Sequence, residues 1–384
     1  MPRNYKMLAK TLYGLEDVLA DEIRNLGGGN VRNGVRAVFF EGDEGFMYKA
    51  NLCLRTALRI LKPVAEFRIR KPDQLYTRIR ETDWSPYLDP GMSFAVDTVL
   101  RSDHFAHSVF VSQRAKDAIA DQFRERTGRR PNVSLANPDV RLHLHLQGDQ
   151  AHLSLDSSGN SLHLRGYRTA TNIAPINEVL AAGILSLSGW DGRSDFLDPM
   201  CGSGTLLVEA AMMACNIPAG INRDGFGFQR WKDFDEALYK TIHAASLKRV
   251  RDFRYAILGY DKAPSAIRKA QENIENANLS EFIRLEQQDF FKSTKFNKGP
   301  LHLVCNPPYG ERLTIDQERF YGQFGDTLKQ SYPNTRAWVF MGDPELVKKV
   351  GLRSSRKIKL YNGSLESRLA LFEMYEGSKK VSKQ

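Results

Sequence analysis

Between residues 195 and 341 short apolar runs that suit buried strands alternate with helical patterns, and no other feature of the 384-residue chain restricts its fold so tightly. Strand-like runs at 195–200, 255–261, 283–289, 301–306 and 336–341 are separated by helix-like ones such as 205–215 and 264–277. Parallel strands need a crossover, usually a helix, so the alternation predicts an α/β fold with a doubly wound, mostly parallel sheet. Two further strand-like runs, 356–361 and 367–375, follow without a helix between them and are joined at Asn362 and Gly363. They predict an antiparallel hairpin at the sheet edge.

Smaller α/β modules precede this part. Residues 13–26 place apolar side chains at helical spacing and stop at three glycines, Gly27, Gly28 and Gly29, with strands expected at 6–11 and 35–41. A second helix beginning near Asp43 leads into a basic strand around 59–70. Next come a strand at 94–100, a helix at 107–126 and two strands, 139–147 and 151–156, around a Gly148-Asp149 turn. His143, His145 and His152 alternate on those last strands without a carboxylate or cysteine at ligand spacing, so they predict positions facing solvent or RNA and not a metal site.

The net charge of +10 favours a polyanionic partner, because Lys and Arg neutralising phosphates drive sequence-independent affinity for nucleic acid. Cations gather at 55–80, at 124–130 and at 348–359, where the competing reading is a solvated face that keeps the chain soluble. Arg68, Arg70, Lys71, Arg129 and Arg130 are the candidate RNA contacts in the first two clusters. The four cysteines, Cys53, Cys201, Cys215 and Cys305, are widely spaced, which suggests neither a disulfide framework nor zinc. No apolar run approaches the roughly 20 residues that span a bilayer, and the N-terminus lacks a signal-peptide core. A cytoplasmic location without membrane contact is the expectation, and oligomeric state is left open.

Asp198-Pro199-Met200-Cys201-Gly202-Ser203-Gly204-Thr205 lies where the first strand of the large sheet meets a helix. Its glycines allow a tight turn and close approach of backbone to a ligand, while the new helix offers free N–H groups. The dinucleotide fingerprint requires a third glycine where this chain has Leu207, and no acidic residue follows about 20 positions later. Asp261 and Asp289 instead close the next two strands, where open sheets bind ligands. Asp261 can take a ribose hydroxyl pair and Asp289 an adenine amine, with Phe290 lining the ring, so the expected ligand is a nucleoside.

The run Leu303 to Arg312, LVCNPPYGER, completes the crevice. The Asn306 side-chain oxygen and the Pro307 carbonyl can each accept a hydrogen bond from one NH2 group, and Tyr309 offers a face for stacking a base. The competing reading is a strand ended by a proline-rich turn.

These motifs resemble class I S-adenosylmethionine-dependent methyltransferases that modify exocyclic base amines, with DPMCGSGT as the cofactor loop, GYD and QQDFF as cofactor-binding strand ends, and NPPYGER as the catalytic motif. LHLRGYRTATNIAPINEVLAAGIL, GFGFQRWKDFD and LYNGSLESRLALFE are further similar to bacterial large-subunit ribosomal RNA guanine-N2 methyltransferases. The resemblance implies a seven-stranded methyltransferase domain at 169–384, a THUMP RNA-binding domain at 66–168 and a ferredoxin-like domain at 1–65. It implies S-adenosylmethionine as cofactor, held by Asp198, Pro199, Cys201, Gly202, Gly204, Thr205, Asp261, Asp289, Phe290 and Asn306. Asn306, Pro307 and Tyr309 would hold the target base, and Arg165, Tyr167 and Arg168 would close the cofactor pocket or steer phosphate. Adenine-amine methylation of RNA or DNA, guanine methylation of transfer RNA, and a non-catalytic ribosome-assembly role remain alternatives.

Overall fold

The computed structural model describes residues 4–169, 176–308 and 316–375. In chain order the first elements are β1 (Tyr5–Lys10), α1 (Glu16–Leu26), β2 (Gly29–Gly34), β3 (Ala37–Gly42), α2 (Glu44–Cys53) and β4 (Arg59–Arg68). There follow α3 (Pro72–Glu81), β5 (Ser93–Arg101), α4 (Ser108–Thr127), β6 (Asn132–Val133), β7 (Val140–Gln147) and β8 (Gln150–Asp156). The next elements are α5 (Glu178–Ser188), β9 (Asp195–Asp198), α6 (Thr205–Ala214), α7 (Glu236–Leu247), β10 (Ile257–Asp261), α8 (Pro264–Asn276) and β11 (Ile283–Gln287). Last come β12 (Leu301–Cys305), α9 (Gln317–Ser331), β13 (Thr335–Met341), α10 (Leu346–Lys349), β14 (Arg356–Asn362) and β15 (Leu365–Met374). No helix among the described residues is long and apolar enough to cross a membrane.

The chain divides into two compact units, the first made of residues 1–11, 20–162 and 224–245, the second of 12–19, 163–223 and 246–384. The first holds an eight-stranded sheet in the order β2-β3-β1-β4-β8-β7-β5-β6. Asp43 starts α2 by accepting a hydrogen bond from the Phe46 N–H at 2.7 Å, the capping that lets a helix begin directly after β3. The segment 224–245, which sequence reading treats as an insertion in the large sheet, belongs to this unit. Phe228 stacks on Tyr48 with ring centroids 4.4 Å apart, and the Phe228 N–H donates to the Ser157 carbonyl at 3.0 Å.

Several cations of the first unit find acids far away in sequence. Arg59 pairs with Asp156 and Arg80 with Glu125, while Arg126 meets Asp83 at 2.7 Å. The cations gathered at 55–80 and 124–130 are therefore partly neutralised, since folding supplies partners that linear proximity does not. His143 corrects the sequence reading. It faces neither solvent nor RNA but is 7% exposed, with Nε2 3.3 Å from Lys10 Nζ, and burial holds its pKa down at about 3.

The second unit is the doubly wound sheet expected from the alternation, in the order β11-β10-β9-β12-β13-β15-β14. β11, β10, β9, β12 and β13 run parallel, while β15 pairs antiparallel with both β13 and β14. The terminal hairpin turns at Gly363 and Ser364, one residue later than expected, because Asn362 pairs with Leu365. Its core on one side is apolar and aromatic, with Leu303, Phe324, Leu328, Val339 and Phe372 all 0% exposed. Such burial is what keeps β9 and β12, the strands that carry the site, rigidly side by side.

Candidate active site

β9 lies between β10 and β12, so the chain segments leaving all three strands emerge at one edge of the sheet. After Asp198 the chain turns sharply: the Cys201 N–H donates to the Tyr260 carbonyl and the Gly204 N–H to the Cys201 carbonyl, each at 2.8 Å. Gly202 and Gly204 have φ of 57° and 81°, in the left-handed region that favours glycine. Gly204 also has no room to spare, since a Cβ there would stand 3.2 Å from Ala270 Cβ of α8. α6 starts immediately afterwards, with its first backbone N–H groups at the loop.

Asp261 ends β10 and grips this loop. Its Oδ2 accepts from the Gly202 N–H at 3.1 Å and its Oδ1 from the Ala263 N–H at 2.9 Å. Each carboxylate oxygen has a second lone pair, so both remain capable of accepting from a ligand hydroxyl. Asp198 is 2% exposed, and its Oδ1 accepts from the Met200 N–H at 3.2 Å. Burial, with the neighbouring Asp261 charge, pushes its carboxyl up to about 8. Asp261 is raised as well, chiefly by burial. Two carboxyls desolvated side by side favour a ligand that brings positive charge.

The Gln288 N–H donates to the Asp261 carbonyl at 3.1 Å and carries the chain to Asp289, whose Oδ1 accepts from the Phe291 N–H at 3.0 Å. Asp289 thus stands at the strand end next to Asp261. Phe290 does not line a ligand ring as expected. It is 2% exposed, and its ring packs 4.8 Å from that of Phe324 and 5.3 Å from that of Tyr332, inside the core.

At the end of β12, Asn306 has its side-chain Oδ1 buried without a hydrogen-bond partner among the described residues. Leaving a buried acceptor unpaired costs roughly 1–3 kcal/mol, so such an atom in a strand-end crevice is poised for a donor from outside. Pro307 is buried beside it, and Tyr309 lies outside the described residues.

Arg165 and Arg168, expected to close the cofactor pocket or to steer phosphate at RNA, are both paired with acids within this unit. Arg165 is 2% exposed, and its Nε donates to Glu209 Oε1 at 3.3 Å. Arg168 Nε lies 2.9 Å from Glu178 Oε1, while its Nη2 donates to Thr205 Oγ1 at 2.8 Å and to the Ile176 carbonyl at 3.0 Å. Burial lifts the Glu178 carboxyl to about 7, with Arg168 opposing the rise. Tyr167 is 1% exposed, so it too packs inside the unit. Sequence reading missed Asn273, 1% exposed, whose Nδ2 donates to the Ser203 carbonyl at 3.0 Å. Its signal was available: a lone amide on the stripe of α8 formed by Ala266, Ala270 and Ile274.

In the first unit Arg68, Arg70, Lys71, Arg129 and Arg130 are all exposed, but they do not converge. Arg68, Arg70 and Lys71 lie at the end of β4 where the Ile69 N–H bonds the Asp149 carbonyl; Arg129 and Arg130 approach Asn132, which bonds Met92 before β5. β5 and β7 run parallel and place these two groups at opposite ends of the sheet.

Three recognised domains account for most of the chain: an RlmL ferredoxin-like domain at residues 6–61, a THUMP domain at 70–156 and an RMKL-like methyltransferase domain at 165–370. A ribosomal RNA large subunit methyltransferase K/L of Syntrophotalea carbinolica is 40% identical over 97% of this chain and 54% of its own length. The chain therefore spans about half the length of such relatives. A protein of Synechocystis sp., provisionally named an RNA methyltransferase, is 36% identical over 94% of this chain and 95% of its own. The crystal structure of a provisionally named methyltransferase complexed with SAH superposes with a TM-score of 0.88 at 32% identity, covering 98% of this chain and 100% of that one. With its glycine loop, acidic strand ends and Asn-Pro-Pro turn set on a seven-stranded sheet, the chain belongs to the RMKL-like methyltransferase family.

Proposed function

We propose that this chain transfers a methyl group from S-adenosylmethionine to the exocyclic N2 amine of a guanosine in large-subunit ribosomal RNA, in the cytoplasm. The observation that carries the reading is the buried, unpartnered Asn306 Oδ1 at the end of the strand adjoining the glycine loop. Gly202 and Gly204, with Asp198 and Asp261, fit a cofactor that combines a cationic amino-acid part with a ribose. Pro199, Cys201 and Thr205 complete that loop, and Asp289 is assigned to the adenine. When bound, the cofactor supplies a methyl group already activated by its sulfonium.

The protein then has mainly to orient the amine and exclude water. Asn306 Oδ1 and the Pro307 carbonyl each accept from one amine N–H, which turns the nitrogen lone pair toward the methyl carbon and favours a pyramidal nitrogen in the transition state. Tyr309 is assigned to stack on the base. After transfer the nitrogen is acidic, and its extra proton leaves to water. The choice of ribosomal RNA rests on the names of relatives and on the THUMP domain. Adenine-amine or transfer RNA methylation would use the same acceptors.

Methylated nucleosides from ribosomal and transfer RNA of cells with and without this protein, identified by mass spectrometry, test the reading. N2-methylguanosine missing from large-subunit RNA is the expected result. A missing methyladenosine, or a change confined to transfer RNA, would overturn the substrate, and calorimetry without S-adenosylmethionine binding would overturn the enzyme.

A further inference from the structure

In the first unit β2, β3, β1 and β4 lie side by side in that order. Alternate residues of a strand point to opposite faces, and β3 shows the consequence in two neighbours. Phe40 is 2% exposed and meets Phe46 of α2 edge-on, ring centroids 5.7 Å apart, so its face is the helix-covered one. Phe39 points to the other face and is 46% exposed.

The surroundings of Phe39 are cationic. In register it stands between Arg32 of β2 and Leu8 of β1, and Lys6 and Lys10 share the face on either side of Leu8. Arg32 and Lys6 are exposed. Arg59, in register with Lys10, is committed to Asp156. Lys10 Nζ is held 3.3 Å from His143 Nε2, which leaves Lys6 and Arg32 as the exposed cations beside Phe39, and Glu41 opposes Lys6 in register and accepts from Asn30 Nδ2 at 2.7 Å. The ring also has a seat: a Cβ at Gly34 would stand 2.9 Å from Phe39 Cε2, so the ring lies over bare backbone. An aromatic ring restrained on a sheet and ringed by cations suits an unstacked base with its phosphates, whereas a protein partner would call for a wider apolar patch.

We propose that this open face binds a single-stranded segment of the substrate RNA, one base stacking on Phe39 while Lys6 and Arg32 carry the flanking phosphates. The proposal rests on the RNA methyltransferase reading and deepens it by assigning a substrate contact to the N-terminal strands.

Fluorescence anisotropy of the full chain with a labelled single-stranded oligoribonucleotide provides the test, with urea unfolding of every variant as the check of an intact first unit and S-adenosylmethionine calorimetry as the check of the second. Phe39→Ala is expected to weaken binding roughly tenfold, the scale of one lost stacking contact, while Phe39→Trp retains it. Arg32→Ala should reduce the salt dependence by about one phosphate contact. Parent-like affinity for Phe39→Ala, within about twofold, overturns the proposal and leaves the methyltransferase reading standing. An equal loss on blunt duplex RNA overturns the stacking role. If the parent chain neither binds nor methylates any RNA, both readings fall.

Discussion

The Gly202 N–H donates to Asp261 Oδ2 at 3.1 Å, so the residue at the end of β10 holds in place the loop that follows β9. One carboxylate thereby shapes the glycine turn, and under the proposed reading the same group takes the ribose hydroxyls, which would couple loop geometry to ligand affinity.

Asp261→Asn should weaken S-adenosylmethionine binding by roughly tenfold to a hundredfold, since an amide replaces one of two accepting oxygens in a largely buried position. Calorimetry checks this. Affinity equal to that of the parent would show that the loop holds without it.

Cofactor affinity should depend on pH through Asp198. Its carboxyl is raised to about 8 in the free protein, and a cationic ligand favours the ionised form. Below that pH, binding must first remove a proton. Affinity should therefore rise as pH increases from about 6 to about 8 and flatten above. Asp198→Asn should lose both the slope and much of the affinity, measured as Kd against pH.

Arg168 and Asn273 hold the other side of the loop, at Thr205 and Ser203. Asn273→Ala leaves the Ser203 carbonyl unpaired and should cost about 1–3 kcal/mol in stability, with cofactor affinity falling in parallel. Asn273→Asp, which removes the donor but keeps the volume, should behave alike. Denaturant melts and calorimetry measure the two effects.

Arg165→Ala should unfold the second unit more readily, by about 3–5 kcal/mol, because Glu209 is left buried without its cation. RNA affinity of the folded fraction should not change. A selective loss of RNA binding at full stability would restore the role that the sequence suggested.

Phe228→Ala should destabilise the first unit by about 3–5 kcal/mol, since the ring is 0% exposed and stacked on Tyr48. Intrinsic fluorescence during urea unfolding would detect it. The substitution lies between motifs of the methyltransferase half, yet its effect should appear in the other unit.

Local physics made much of this legible in one dimension. Strand–helix alternation predicts the parallel sheet because each crossover is written out in the intervening residues, and DPMCGSGT is readable because glycine adopts φ of 57° and 81°, as at Gly202 and Gly204, without steric cost. Asn306 stands out in the sequence for a different reason, as a polar side chain directly after an apolar strand, and the structure buries its Oδ1 without a hydrogen-bond partner among the described residues. What the tertiary structure alone decided are the pairings between residues far apart in sequence: Arg165 with Glu209, Arg168 with Thr205, Arg59 with Asp156, Tyr48 with Phe228. Charge and aromaticity are properties of single residues, but whether a cation meets a phosphate or a buried carboxylate, and whether a ring such as Phe290 faces a ligand or the core, depends on which surfaces burial brings together.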